Sequence, residues 1–265
     1  MEIHFFSTGP DFPYSYYLSI MSAIKTQSVQ KINLYVTTPQ QDRYLDLLSD
    51  RINIIDVQPG REPKTTSLFN NAWAEKVRRT HYKDLLAWQV LYDKGGILLD
   101  LDTFCLKDLS TLLTEKEVVA SPYRSLYFTP TLYPFNNAVV IARPHSIIIK
   151  DALDNTIDAL ALPIEAEFLW GTTGPIALSN AIQKYYHLVE FIPPCTIDAG
   201  NLQDDAVMTV WRDSGTVEDY TRVIHLYAST HLEQMARINV DFIASSNILY
   251  ARLVKKILSP AEWNI

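Results

Sequence analysis

The first third of the chain alternates between two hydrophobic periods. Ile3–Phe6 is a short apolar run, closed by Gly-Pro and Phe-Pro turn signals at residues 9–13. Residues 14–27 read as a helix, and Ile32–Val36 alternates apolar and polar as a strand does. A helical segment over 40–49 and a third strand over Ile52–Val57 follow. The order strand, helix, strand, helix, strand predicts a parallel sheet with right-handed crossovers. Residues 58–71, with Pro59, Gly60 and Pro63, predict a loop.

From Ala72 to Lys94 the spacing of Trp73, Val77, Leu85, Trp88 and Leu91 predicts a long amphipathic helix ended by Gly95. In the second half, Ala138–Ala142, Val189–Ile192 and Arg222–Leu226 predict strands. Helices are expected near 146–160, 175–186 and 246–258. No repeat or linker divides the chain, so one domain over residues 1–265 is expected.

The helix leads into Gly95-Gly96-Ile97-Leu98-Leu99-Asp100-Leu101-Asp102. An apolar run closed by acids reads as a buried strand delivering charge at its carboxyl end. Strand period two would put both carboxylates on one side of the sheet. Two acids so close repel, which predicts a positive charge between them. In open α/β sheets ligands bind beyond the carboxyl ends of strands. A divalent cation bridging to a phosphate satisfies both statements, since carboxylates suit Mg2+ or Mn2+.

Composition narrows the classes. A hydrophobic content of 48% supports a sizeable core, and the net charge of -7 argues against a general nucleic-acid binder. Cys105 and Cys195 suggest neither a metal cluster nor a disulfide framework. Met1-Glu2-Ile3 runs straight into Phe5-Phe6 with no basic leader, and no apolar stretch has spanning length. A cytoplasmic protein is expected. The last helix sets Arg252, Lys255 and Lys256 beside Ile248, Leu249 and Leu253, which leaves peripheral membrane association open, although packing on the domain is the commoner arrangement.

The segment Lys83–Asp102 resembles the sugar-binding region of the DXD-motif glycosyltransferases, a family with yeast mannosyltransferase, α1,4-galactosyltransferase and bacterial capsular members. Its usual pattern is Ser-Asp-x-x-Arg-Tyr-x-x-Leu-Tyr-x-x-Gly-Gly-x-Tyr-x-Asp-x-Asp. Asp84, Leu91, Tyr92, Gly95, Gly96, Asp100 and Asp102 match it. Ala87 stands where the pattern has Arg, Trp88 where it has Tyr, and Leu98 where a Tyr precedes the acids. The missing Arg usually helps to hold the donor's sugar and phosphates, and Arg78, Arg79, His81 and Lys83 lie upstream to compensate. Phe135–His145, Thr172–Pro175 and Val223–His231 are similar to later family segments, with Thr230-His231 in place of Ser-Trp.

The resemblance implies an α/β GT-A fold with a Rossmann-like, mostly parallel central sheet flanked by helices. It further implies a hexosyltransferase that uses a nucleotide-sugar donor, with UDP-sugar favoured, and retains anomeric configuration. The acceptor would be a glycan or glycolipid, as in polysaccharide biosynthesis. Asp100, Asp102 and His225 would hold Mn2+ or Mg2+. Phe6, Ser7, Thr8, Asp84, Asp100 and Asn137 would bind the donor, with Tyr and Phe residues over 12–17 available for stacking. Asp204 and Asp205 are candidates for acceptor positioning, and no nucleophile is identified. The loop after Val57 would close over the donor and exclude water, as such transferases need.

Other classes compete. A haloacid-dehalogenase-type Mg2+-dependent phosphatase would use Asp100 as nucleophile and Asp102 as acid. Thr103 then falls one place early for that motif. A nucleotidyltransferase would want a basic Gly-rich loop after the first strand, and Ser7-Thr8-Gly9-Pro10 has no Lys or Arg. A sugar-binding module would not need the acid pair.

Overall fold

The computed structural model describes residues 1–37, 42–57, 75–122, 135–161, 171–199 and 206–265. In chain order the elements begin β1 (Glu2–Ser7), α1 (Tyr14–Thr26), β2 (Lys31–Val36), α2 (Arg43–Leu48) and β3 (Asn53–Asp56). Then come α3 (Glu75–Lys94), β4 (Gly96–Leu99), β5 (Thr103–Cys105), β6 (Val118–Ala120), β7 (Val139–Ala142) and α4 (Ile147–Ala161). The rest is α5 (Ala177–Lys184), β8 (Val189–Phe191), α6 (Ala206–Thr209), β9 (Val223–His225), α7 (Leu232–Ala236), α8 (Val240–Ser245), α9 (Leu249–Ile257) and α10 (Pro260–Trp263).

Seven strands form one sheet in the order β3-β2-β1-β4-β7-β6-β8. Four of its six pairings are parallel, so the sheet is mostly parallel, as expected. The exception that shapes the site is β7, which runs antiparallel to β4 with Leu99 opposite Val139. Arg222–Leu226 does not join this sheet. Its strand β9 pairs antiparallel with β5 in a separate ribbon, with Thr103 opposite His225. The short strands β5 and β6 give no separable signal in the sequence, because three-residue runs are too brief for a period to show.

Both faces of the sheet are covered. Ile3 and Phe5 of β1, with Ile97 and Leu99 of β4, pack on one face together with Leu18 of α1 and Leu253 of α9. Phe6 and Leu98 point the other way, into a second cluster with Trp88 of α3 and Ile149 of α4. Alternate residues of one strand thus feed two cores, as a pleated strand requires.

The two glycines before β4 are fixed by geometry. Gly95 has φ +62° and Gly96 φ +102°, conformations that side chains rarely adopt. A Cβ on Gly96 would lie 2.4 Å from the Glu2 carbonyl oxygen, and one on Gly95 2.5 Å from the Pro144 nitrogen. The sharp turn from α3 into the sheet needs both.

The segment 58–71, its expected closure, and Asp204 and Asp205 all lie outside the described residues. Helix α9 buries Leu249, Tyr250, Ala251, Leu253 and Val254, while Arg252 donates to the carbonyls of Asp213 and Gly215. No helix among the described residues is long and apolar enough to cross a membrane.

Candidate active site

The strand β4 ends at Leu99, so Asp100 and Asp102 lie just past the sheet, not within it. The period-two argument for their shared side therefore fails. The chain turns here because it must leave the central sheet to enter β5. The Thr103 N–H and its hydroxyl both donate to the Asp100 carbonyl, at 3.1 and 2.7 Å, and close the turn. The turn, not the pleat, gathers the two acids.

The ribbon then delivers His225. Register Thr103 to His225 places the imidazole beside Asp102, with Nε2 at 3.3 Å from Oδ2. One ligand atom from each of Asp100, Asp102 and His225 lies within 4.8 Å of the others. Two carboxylates and an imidazole suit a divalent cation such as Mn2+. The His225 Nδ1 is buried without a hydrogen-bond partner among the described residues. The donor set fits a metal.

The protein supplies its own positive charges to this acid pair. Lys83 Nζ sits 2.5 Å from Asp100 Oδ1 and 3.8 Å from Asp84 Oδ1. Burial opposes its charge, but the two carboxylates raise the Lys83 pKa. Burial would also push Asp102 up. His225 and the Ala228 N–H outweigh it and hold Asp102 down at about 2. In return Asp102 overcomes burial and raises the His225 pKa.

Asp84 occupies a different kind of environment. It is buried on α3 and accepts a hydrogen bond from the Thr173 hydroxyl at 2.8 Å and one from Asn137 Nδ2 at 3.4 Å. Burial dominates and raises its pKa to about 6, against the pull of Lys83 and Thr173. The Thr173 hydroxyl has one proton and gives it to Asp84. His81 Nδ1, 2.5 Å from the same oxygen, must then be the donor in that contact. Behind it Trp88 Nε1 and the Thr156 hydroxyl donate to the Thr173 carbonyl, at 2.7 and 2.9 Å. Gly174 is needed for close approach, since a Cβ there would meet Asn137 Nδ2 at 2.5 Å.

These groups face one cavity of about 280 Å3 beyond the carboxyl ends of β1 and β4. Phe6, Ser7 and Thr8 line it from β1, with Asp84, Asp100, Asp102, Asn137 and His225. The Ser7 hydroxyl is buried with no hydrogen-bond partner among the described residues.

The sequence profile of the glycosyltransferase sugar-binding region containing the DXD motif matches residues 21–119. Over that stretch the chain carries the DXD-motif sugar-binding region of glycosyltransferases. Among solved structures it is similar to a PaToxG glycosyltransferase, at 20% identity and TM-score 0.52, over 69% of each chain. It is also similar to a WbbM bifunctional glycosyltransferase, at 14% identity and TM-score 0.51, covering 96% of this chain and 51% of that one. At these identities the likeness concerns the fold, which is of GT-A type. No curated protein matches the sequence.

The cavity brings together all eight residues expected for donor and metal, but not the expected aromatic set. Phe12, Tyr14 and Tyr17 are buried in the core. The Tyr14 and Tyr17 hydroxyls donate to the carbonyls of Trp263 and Glu262. A helix starting at Tyr14 turns these rings inward and leaves Tyr16 on the cavity wall. Sequence reasoning missed Tyr227 and Ala228, which line the cavity after β9. Tyr227 has φ +53°, a conformation that its sequence does not announce.

Proposed function

We propose that this transferase moves a hexosyl group from a nucleotide-sugar donor, with UDP-sugar favoured, to a glycan or glycolipid hydroxyl with retention. One observation carries the reading. Asp84, Asp100, Asp102 and His225, drawn from α3, the acid turn and β9, all face a single cavity at the carboxyl ends of parallel strands. That is the ligand position of an open α/β sheet.

In this reading Phe6, Ser7 and Thr8 receive the base and ribose, and the unpartnered Ser7 hydroxyl gains a hydrogen bond from the donor. Asp84 accepts from a sugar or ribose hydroxyl, and Asn137 orients Asp84 at its other oxygen. Asp100, Asp102 and His225 would hold Mn2+ or Mg2+, which would supply Lewis-acid stabilisation of the departing diphosphate. The Ala228 N–H and the imidazole keep Asp102 ionised for that task. The acceptor hydroxyl attacks on the face from which the diphosphate leaves. As the anomeric carbon–oxygen bond to the diphosphate breaks, the hydroxyl proton passes to a diphosphate oxygen, and configuration is retained. The comparisons lend no support to the phosphatase alternative with Asp100 as nucleophile.

The test is thermal stabilisation by UDP, GDP and CMP, each with and without Mn2+, on the wild type and on Asp102→Asn. A ligand that binds only the folded protein raises the melting point by mass action. The expected result is a shift for one nucleotide that requires Mn2+ and vanishes in the variant. The absence of a shift with all three nucleotides would overturn the donor reading.

A further inference from the structure

Two departures from the family pattern lie one helical turn apart. Lys83 stands where the pattern has Ser, and Ala87 where it has Arg. Positions four apart share one face of a helix. On α3, Thr80, Lys83 and Asp84 line the cavity beside the acid turn. Ala87 is 1% exposed and is packed into the core cluster beneath the sheet with Trp88 and Leu98. A cation is lost at one position and gained a turn away.

The cavity needs that cation. Asp11, Asp84, Asp100 and Asp102 line it, and a diphosphate would add further negative charge. Among the described residues that line it, Lys83 is the one Lys or Arg. Its ammonium is already at the cavity wall, 2.5 Å from Asp100 Oδ1, with only 19% of its side chain exposed. An ammonium has three donors, and a flexible stem lets it shift between a carboxylate and a phosphate.

We propose that Lys83 is the diphosphate-binding side chain of this site, taking from α3 one turn earlier the charge that position 87 does not supply. The proposal rests on the nucleotide-sugar reading and adds to it a named residue. Lys83 neutralises Asp100 before the donor arrives and contacts a phosphate oxygen when the donor is bound. It thereby stabilises the charge that develops on the leaving group.

The rival role is a purely structural counter-ion that keeps the acid turn intact. Binding constants separate the two. UDP and GDP are titrated calorimetrically with saturating Mn2+ into the wild type, Lys83→Gln and Lys83→Arg. Uridine and guanosine are followed by ligand-observed NMR in Mg2+, and Mn2+ binding to the nucleotide-free proteins by electron paramagnetic resonance. Loss of a charge-assisted contact should weaken diphosphate binding by about 10-fold or more in Lys83→Gln. Nucleoside and Mn2+ affinities should not weaken, and Lys83→Arg should keep most of the diphosphate affinity.

Unchanged diphosphate binding by Lys83→Gln overturns the proposal. So does an equal loss of diphosphate, nucleoside and Mn2+ affinity, which is the mark of a collapsed acid turn. If neither UDP nor GDP binds the wild type, the donor reading itself fails, a result distinct from a wild type that binds and a variant that binds equally well.

Discussion

The Ala228 N–H donates to Asp102 Oδ2 at 2.8 Å, although 126 residues separate the two. The Leu226 N–H likewise donates to the Asp102 carbonyl at 2.8 Å, extending the β5–β9 ribbon up to the acid. Tyr227 then takes the left-handed conformation, and the chain turns so that the next N–H meets the carboxylate. The second acid of the motif is thus held by the last third of the chain. Its own helix and strand do not orient it.

Asp102→Asn keeps the acceptor for Ala228 and removes the charge that faces His225. Several kcal/mol of leaving-group stabilisation would go with it, so transfer should fall by roughly 1000-fold. A radiolabelled-donor assay beside a thermal melt checks this. Retained transfer in a folded variant would contradict the metal assignment.

Gly96→Ala should destabilise the protein by about 2 kcal/mol or more, since it adds an unfavourable φ to a backbone clash. The new Cβ would also stand 3.0 Å from His4 Nε2. Urea denaturation measures the loss. A variant as stable as the wild type would show that the turn relaxes freely.

Stability should depend on pH through two buried imidazoles. Burial lowers the His4 and His81 pKa values from 6.5 to about 4. Between those values the unfolded chain binds protons that the folded chain refuses. Stability therefore falls as pH drops from 6.5 towards 4, by on the order of 2–3 kcal/mol per histidine. Asp84, with its pKa raised to about 6, contributes with the opposite sign, being favoured when protonated. His4→Gln preserves a donor for the Gly95 carbonyl, which His4 Nε2 meets at 3.0 Å, and should flatten the slope. Chemical denaturation at stepped pH would expose an unchanged slope, and with it an error in this account.

Thr173→Val removes the hydroxyl that links His81 to Asp84. It leaves a buried N–H without this acceptor and a carboxylate with one donor fewer, at a cost of about 1–3 kcal/mol. With less support for its charge, Asp84 should titrate above about 6, and the acid limb of kcat/KM should move to higher pH. Thr173→Ser should restore both stability and profile. An unmoved acid limb in Thr173→Val would remove Asp84 from the ionisations that govern activity.

The sequence by itself determined the alternation of β1, α1, β2, α2 and β3, and the long helix running through Gly95 into an apolar strand. Period and turn chemistry are local properties, so these elements were legible along with their parallel order. The residues lining the cavity from β1, α3 and the acid turn were legible mainly through the resemblance of Lys83–Asp102 to a known sugar-binding region, the acids also through their place after an apolar strand. Other features were decided only by tertiary structure. β7 enters antiparallel, β9 leaves the sheet to pair with β5, and a turn gathers Asp100 and Asp102. Tyr14 and Tyr17 pack inward against α10, and Thr173 reaches Asp84 across 89 residues. Each depends on contacts between distant segments, where burial and hydrogen-bond satisfaction select one arrangement from several that local propensity allows equally.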